Sequence, residues 1–122
     1  MIRILIVDDH RMVRLGLDML LKSAEDMTVV GHANNGVEAL DLCKSLHPDV
    51  VLMDISMPEM DGITATRIIR QAHPITRIVM LTSLNDAEKC QAATRAGAQD
   101  LLPKNAPVEV ILDTVRAVYR GS

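Results

Sequence analysis

Two adjacent carboxylates, a third carboxylate, a hydroxyl and an ammonium stand at the ends of four apolar runs in this chain, and together they could transfer a phosphoryl group. The runs are Ile4 to Val7 before Asp8 and Asp9, Val50 to Met53 before Asp54, Ile78 to Leu81 before Thr82, and Leu101-Leu102 before Pro103 and Lys104. Three carboxylates brought together repel one another, and a divalent cation removes that cost. Hard cations take oxygen ligands, and magnesium binds one or two carboxylates while keeping waters and a phosphate oxygen. Mg2+, or Mn2+ in its place, is the cation expected, with Asp9, Asp54 and the backbone carbonyl of Ser56 as direct ligands and Asp8 acting through water. A carboxylate can also serve as nucleophile and form an acyl phosphate. Asp54 is the candidate phosphoacceptor. Phosphoryl transfer asks chiefly for in-line placement and positive charge on the equatorial oxygens, which the cation and Lys104 would supply, with Thr82 donating a hydrogen bond.

Taken singly, each residue has an ordinary alternative. An Asp pair after a strand often caps a helix, a Thr closing a strand reflects β propensity, and a Lys near Pro is commonly solvated. It is their joint placement at four strand ends that points to a site. His10 is read as the surface start of the first helix and is given no role; Met57 and Met60 are read chiefly as core filling.

The elements that must position these groups are set by the apolar pattern. Each run reads as a buried strand. A weaker strand covers Thr28 to Ala33, ahead of the turn-forming Asn34-Asn35-Gly36. Val13, Leu17, Leu20 and Leu21 stripe a first helix from about Arg11 to Ala24. Val37, Leu40, Cys43 or Lys44, and Leu46 stripe a second helix that stops at His47-Pro48; Ala65, Ile68, Ile69 and Ala72 mark a third that stops near His73-Pro74. A fourth helix, N-capped at Asn85 or Asp86, shows a small, weakly apolar face of Ala87, Cys90, Ala93 and Ala96 and should be loosely held. Gly97 ends it, a fifth strand covers Ala98 to Leu102, and Val108, Ile111, Leu112, Val115 and Val118 stripe a fifth helix.

Five strands alternating with five helices predict an α/β, doubly wound parallel sheet with right-handed crossovers. Of the two common strand orders, the flavodoxin-like 2-1-3-4-5 puts the reversal between strands one and three, where Asp8, Asp9 and Asp54 emerge. The chain has 122 residues, so one domain over 1–122 is expected. No apolar run approaches a membrane span, no signal peptide is evident at the start, and cytoplasmic residence is expected. Net charge is −3 with no basic cluster, which argues against nucleic-acid binding by this domain. Only Tyr119 is aromatic and eight residues are Met, so the core is aliphatic and sulfur-filled. Cys43 and Cys90 lack metal-ligand spacing and read as reduced thiols.

The chain resembles the receiver domains of bacterial two-component response regulators. The resemblance is carried by Val7-Asp8-Asp9-His10, by Asp54 to Gly62 (DISMPEMDG), by Leu81-Thr82-Ser83, by Ala96-Gly97-Ala98 and by Lys104. It implies that a sensor histidine kinase phosphorylates Asp54, that Asp8 and Asp9 are the metal-binding acidic pair, and that Thr82 and Lys104 are the switch hydroxyl and the phosphate-contacting lysine. The chemistry of the domain itself would be confined to self-phosphotransfer and slow autodephosphorylation. The stretches from Asp9 to Leu17 and from Asn105 to Val118 are similar to the LuxR-type (NarL/FixJ) subgroup. That likeness implies transcriptional output through a C-terminal helix-turn-helix DNA-binding domain beyond this chain, with homodimerisation on phosphorylation. Two positions depart from the family pattern: Leu101 stands where the switch aromatic is usual, and Pro103 directly precedes Lys104.

Two other classes share parts of the pattern. A magnesium phosphohydrolase of the haloacid-dehalogenase type also uses an Asp nucleophile, but in Asp-x-Asp after its first strand. A flavodoxin-like flavin binder shares the topology but calls for aromatic stacking and a hydroxyl-rich first loop, which this sequence lacks. A purely structural pseudo-receiver is disfavoured because all five site positions hold the expected residue types.

Overall fold

In a computed structural model, which describes residues 1–57, 59–82 and 87–121, strands and helices alternate as β1 (Ile2–Val7), α1 (Arg11–Lys22), β2 (Met27–Ala33), α2 (Gly36–Leu46), β3 (Val50–Asp54), α3 (Gly62–Ala72), β4 (Arg77–Thr82), α4 (Ala87–Ala96), β5 (Asp100–Pro103) and α5 (Val108–Tyr119). The strands are all parallel, in the order β2-β1-β3-β4-β5. The expected doubly wound sheet is therefore present, with its reversal between β1 and β3.

Parallel strands buried on both faces need a helix layer on each side. Side chains alternate between the faces along a strand. Ile4, Ile6, Val50, Leu52, Val79 and Leu81 pack with Leu17 and Leu21 of α1 and Ile111, Val115 and Val118 of α5. The intervening Leu5, Val7, Val51, Met53, Ile78 and Met80 pack with Ala39 and Cys43 of α2, Ala65 and Ile69 of α3 and Ala93 of α4. The same period of two carries past the strand ends: Asp8, Asp54 and Lys104 continue the parity of Ile6, Leu52 and Leu102. Three of the polar groups are thereby aimed to one side of the carboxyl edge.

Local chemistry sets the helix starts. Asn35 accepts the Glu38 N–H at 2.9 Å to cap α2, and Asp61 accepts the Thr64 N–H at 2.7 Å to cap α3. The capping expected of Asn85 or Asp86 falls outside the described residues. Helix α1 ends at Lys22, two residues short of the expected Ala24, with Ser23 as C-cap. Its stripe is narrower than expected: Leu17 and Leu21 are buried, but Val13 is exposed. Val37 and Val108 likewise face solvent at the first turns of α2 and α5. In α2 it is Cys43, not Lys44, that is buried.

Strand β5 lies two residues later than expected at its start and includes Pro103. The reason is geometric. Lys104 N donates to the Thr82 carbonyl at 2.9 Å, so the preceding nitrogen, that of Pro103, turns outward from an edge strand where no ladder bond is lost. Pro103 is thus compatible with the backbone that delivers Lys104.

Candidate functional site

At the carboxyl edge of β1 and β3, ligand atoms of Asp8, Asp9, His10 and Asp54 lie within 4.8 Å of one another. Asp8 and Asp54 are buried, Asp9 is half-buried and His10 is exposed. The alternative reading of the Asp pair as a helix cap does not hold. The N-cap position of α1 is occupied by His10, which makes no side-chain capping bond, while Asp8 Oδ1 accepts the His10 N–H at 2.8 Å. That bond fixes the turn by which the chain leaves β1.

Asp54 is reached from two further elements. Lys104 Nζ lies 3.2 Å from each of its carboxylate oxygens, and Ser56 N donates to Oδ1 at 3.2 Å. Thr82 is buried at the end of β4, whose Leu81 pairs with Asp54. The close approach of α3 to β3 depends on Gly62, where a Cβ would run into the backbone oxygen of Asp54 and come within 2.6 Å of Met80 Cε. Only a residue without a side chain lets the helix start directly beneath Asp54.

The electrostatics are governed by burial. Loss of solvent pushes the Asp54 carboxyl above the ordinary carboxylate range; the Ser56 N–H and Lys104 oppose that shift and the charge of Asp8 adds to it. Asp8 Oδ2 is buried and, among the described residues, has no hydrogen-bond partner. Asp9 Oδ1 is also buried and has only ion-pair proximity to His10 Nδ1, at 3.1 Å. An orphaned buried carboxylate oxygen is costly. A close set of three carboxylates, two with unsatisfied buried oxygens, fits a hard divalent cation.

Asp8, Asp9, Asp54 and Lys104 are thus brought together, and Thr82 stands at the adjoining strand end. Ser56 approaches through its N–H; its hydroxyl accepts from Lys89 Nζ at 3.2 Å. Sequence reasoning missed His10, whose Nδ1 is 3.1 Å from both Asp8 Oδ1 and Asp9 Oδ1; its adjacency to the pair was the only available signal. It also missed Lys89, 33 residues from Ser56, for which the sequence holds no signal.

The sequence model of the response regulator receiver domain matches residues 4–116. The chain belongs to the response regulator receiver family. It is 42% identical over 121 residues to the transcriptional regulatory protein LiaR of Bacillus subtilis, covering 99% of this chain and 57% of LiaR. It is 43% identical over 120 residues to the oxygen regulatory protein NreC of Staphylococcus carnosus, covering 98% of this chain and 55% of NreC. The chain therefore spans about half the length of these curated relatives. Its structure resembles the signal receiver domain of the response regulator NarL from Mycobacterium tuberculosis, with a TM-score of 0.94 and 30% identity over 99% of this chain and 98% of that one. These likenesses place the receiver in the LuxR-type (NarL/FixJ) subgroup, as a regulatory domain of a two-component system. They displace the phosphohydrolase and flavin-binding alternatives.

Proposed function

We propose that this receiver accepts a phosphoryl group on Asp54 from the phosphohistidine of a sensor kinase and passes the signal on through a change of conformation. A carboxylate oxygen of Asp54 attacks phosphorus; the P–O bond forms as the P–N bond breaks, and the imidazole nitrogen leaves with the electron pair. Asp8, Asp9, Asp54 and the Ser56 carbonyl would hold Mg2+ or Mn2+, which supplies charge neutralisation at the transferring phosphoryl oxygens when bound. Lys104 serves the same end from the opposite side, and Thr82 donates to a third oxygen. The observation that carries the reading is the burial of Asp54 beside orphaned carboxylate oxygens with the Lys104 ammonium on both of its own.

The phosphorylated state needs to be favoured by about 5.5 kcal/mol in differential contacts to carry a two-state balance from 1:99 to 99:1. Charge-assisted contacts from Thr82 and Lys104 to the new phosphoryl oxygens are the source. Helix α4 suits a responsive element because Ala93 and Ala96 are its only buried residues. With Leu101 in place of the usual aromatic, half-buried and lining a recess with Cys90, Gln91, Thr94 and Arg95 of α4, switching runs through Thr82 and α4 without an aromatic partner. In the full-length protein the output would be transcriptional, through a C-terminal helix-turn-helix DNA-binding domain, with homodimerisation on phosphorylation and residence in the cytoplasm. No helix among the described residues is long and apolar enough to cross a membrane.

The test is intact-mass measurement after incubation with a small phosphoryl donor such as phosphoramidate. Wild type should gain one phosphoryl group only with Mg2+ present, and Asp54→Asn should gain none. Equal incorporation by the variant, or incorporation by wild type in EDTA, would refute the assignment.

A further inference from the structure

The opposite, amino-terminal edge of the sheet carries a second cluster with ligand chemistry. Helices α2 and α3 end there on two His-Pro pairs, His47-Pro48 and His73-Pro74. Proline ends each helix at the residue before it, and the two histidines are left side by side, ring centroids 5.9 Å apart at an interplanar angle of 75°. They line a recess of about 360 Å3 together with Asp49, Ile75 and Thr76. Among the described residues neither ring makes a hydrogen bond. The nearby cations are committed elsewhere: Arg3 Nη1 donates to the Leu46 and His47 carbonyls, and Arg70 Nη1 to the Pro74 and Thr76 carbonyls. Asp49, which also lines the recess, has its Oδ2 committed to the Arg3 N–H at 2.9 Å.

We propose that His47 and His73 form a second metal site, selective for a borderline divalent transition ion such as Zn2+ and distinct from the acidic pocket around Asp54. Paired neutral imidazoles suit Zn2+, Ni2+ and Cu2+ and discriminate against Mg2+, which demands oxygen. The spacing agrees. With Zn–N bonds of about 2.0–2.1 Å and about 1.2 Å from ring nitrogen to centroid, two imidazoles on one ion have centroids about 5.3 Å apart at a tetrahedral angle and about 6.5 Å apart when linear. The observed 5.9 Å lies between, and the exposed His47 ring has room to turn its nitrogen inward. Water completes the coordination. The ion would join the carboxyl ends of α2 and α3, tying together two helices of one layer.

The test is Zn2+ titration of the chain with Mg2+ held in excess to occupy the acidic pocket, followed through the side-chain nitrogen resonances of the four histidines, assigned by single substitutions. The expected result is that His47 and His73 shift together and saturate at one equivalent, while Mg2+ alone moves neither. His47→Asn should abolish the response of His73. Asn tolerates the left-handed backbone at this position, where φ is 48°, so the fold is kept; His73→Gln should abolish the response of His47 in turn. An unchanged His73 response in His47→Asn, or shifts confined to His10 and His32, would overturn the proposal.

Discussion

Replacing Asp54 by Asn should make this protein more stable in the absence of divalent cations, because the pocket is then relieved of a buried charge it is poorly equipped to hold. Ligand oxygens of Asp8, Asp9 and Asp54 lie within 4.8 Å of one another. Loss of solvent is the largest cost to the Asp54 charge, and the charge of Asp8 adds to it. Against this stand the Ser56 N–H and the Lys104 pair, the latter at 3.2 Å with the lysine side chain 44% exposed. After screening at the open side of the pocket, a net gain of about 1–2 kcal/mol is expected, or a melting temperature higher by about 4–10 °C for a chain of this size. The pH dependence fixes the cause. The folded carboxyl of Asp54 has a raised pKa, so its favourable contribution is complete below the unfolded value and is lost as pH rises through the folded one. The advantage of Asp54→Asn should therefore be largest at neutral pH and close as the solution is acidified. Thermal unfolding in EDTA, followed by circular dichroism across pH, measures both. Mg2+ at ten times its dissociation constant should add about 1.4 kcal/mol to wild type and clearly less to the variant. A variant melting at or below wild type at neutral pH in EDTA would refute this electrostatic picture of the pocket.

Gly62→Ala should cost about 1–3 kcal/mol in denaturant unfolding, because the added Cβ meets the Asp54 carbonyl and Met80, and the backbone oxygen cannot yield; a neutral result would contradict the close packing of α3 under the site. Asp61→Ala removes the cap on Thr64 N and should cost about 1 kcal/mol, read in the same way. Burial pushes the Cys43 thiol up to about 11, whereas Cys90 is half-buried; iodoacetamide at mildly alkaline pH should label Cys90 and spare Cys43 in the native protein, and equal labelling by peptide mass would count against the buried placement of Cys43.

The frame of the fold and the gathering of the five candidate residues are both legible in the sequence for one reason: in a parallel sheet every strand points the same way, so the residues directly after the apolar runs must gather at one edge. Reading Asp8, Asp9, Asp54, Thr82 and Lys104 off the run ends requires no knowledge of distances. The features hidden from the sequence are those set by tertiary contact. Val13, Val37 and Val108 satisfy helical periodicity yet face solvent, because periodicity fixes a helix face without fixing how far the neighbouring layer reaches. Pro103 reads as a strand breaker, and only the register to Thr82 shows that its missing N–H points out of the sheet. Lys89 contacts Ser56 across a separation that no local pattern spans. A histidine at a helix start is ordinary on its own, and His10 takes its meaning only from the Asp8 and Asp9 oxygens beside it.

The proposed phosphoryl acceptance requires Asp8, Asp9 and Asp54 to close around one divalent cation next to the proposed acceptor, Asp54. Anomalous diffraction from crystals grown with Mn2+ tests this most directly. A single strong peak bonded to the Asp9 and Asp54 carboxylates and the Ser56 carbonyl, with Asp8 joined through water, is the predicted result. No peak at saturating Mn2+, or a peak whose ligands do not include Asp54, would contradict it.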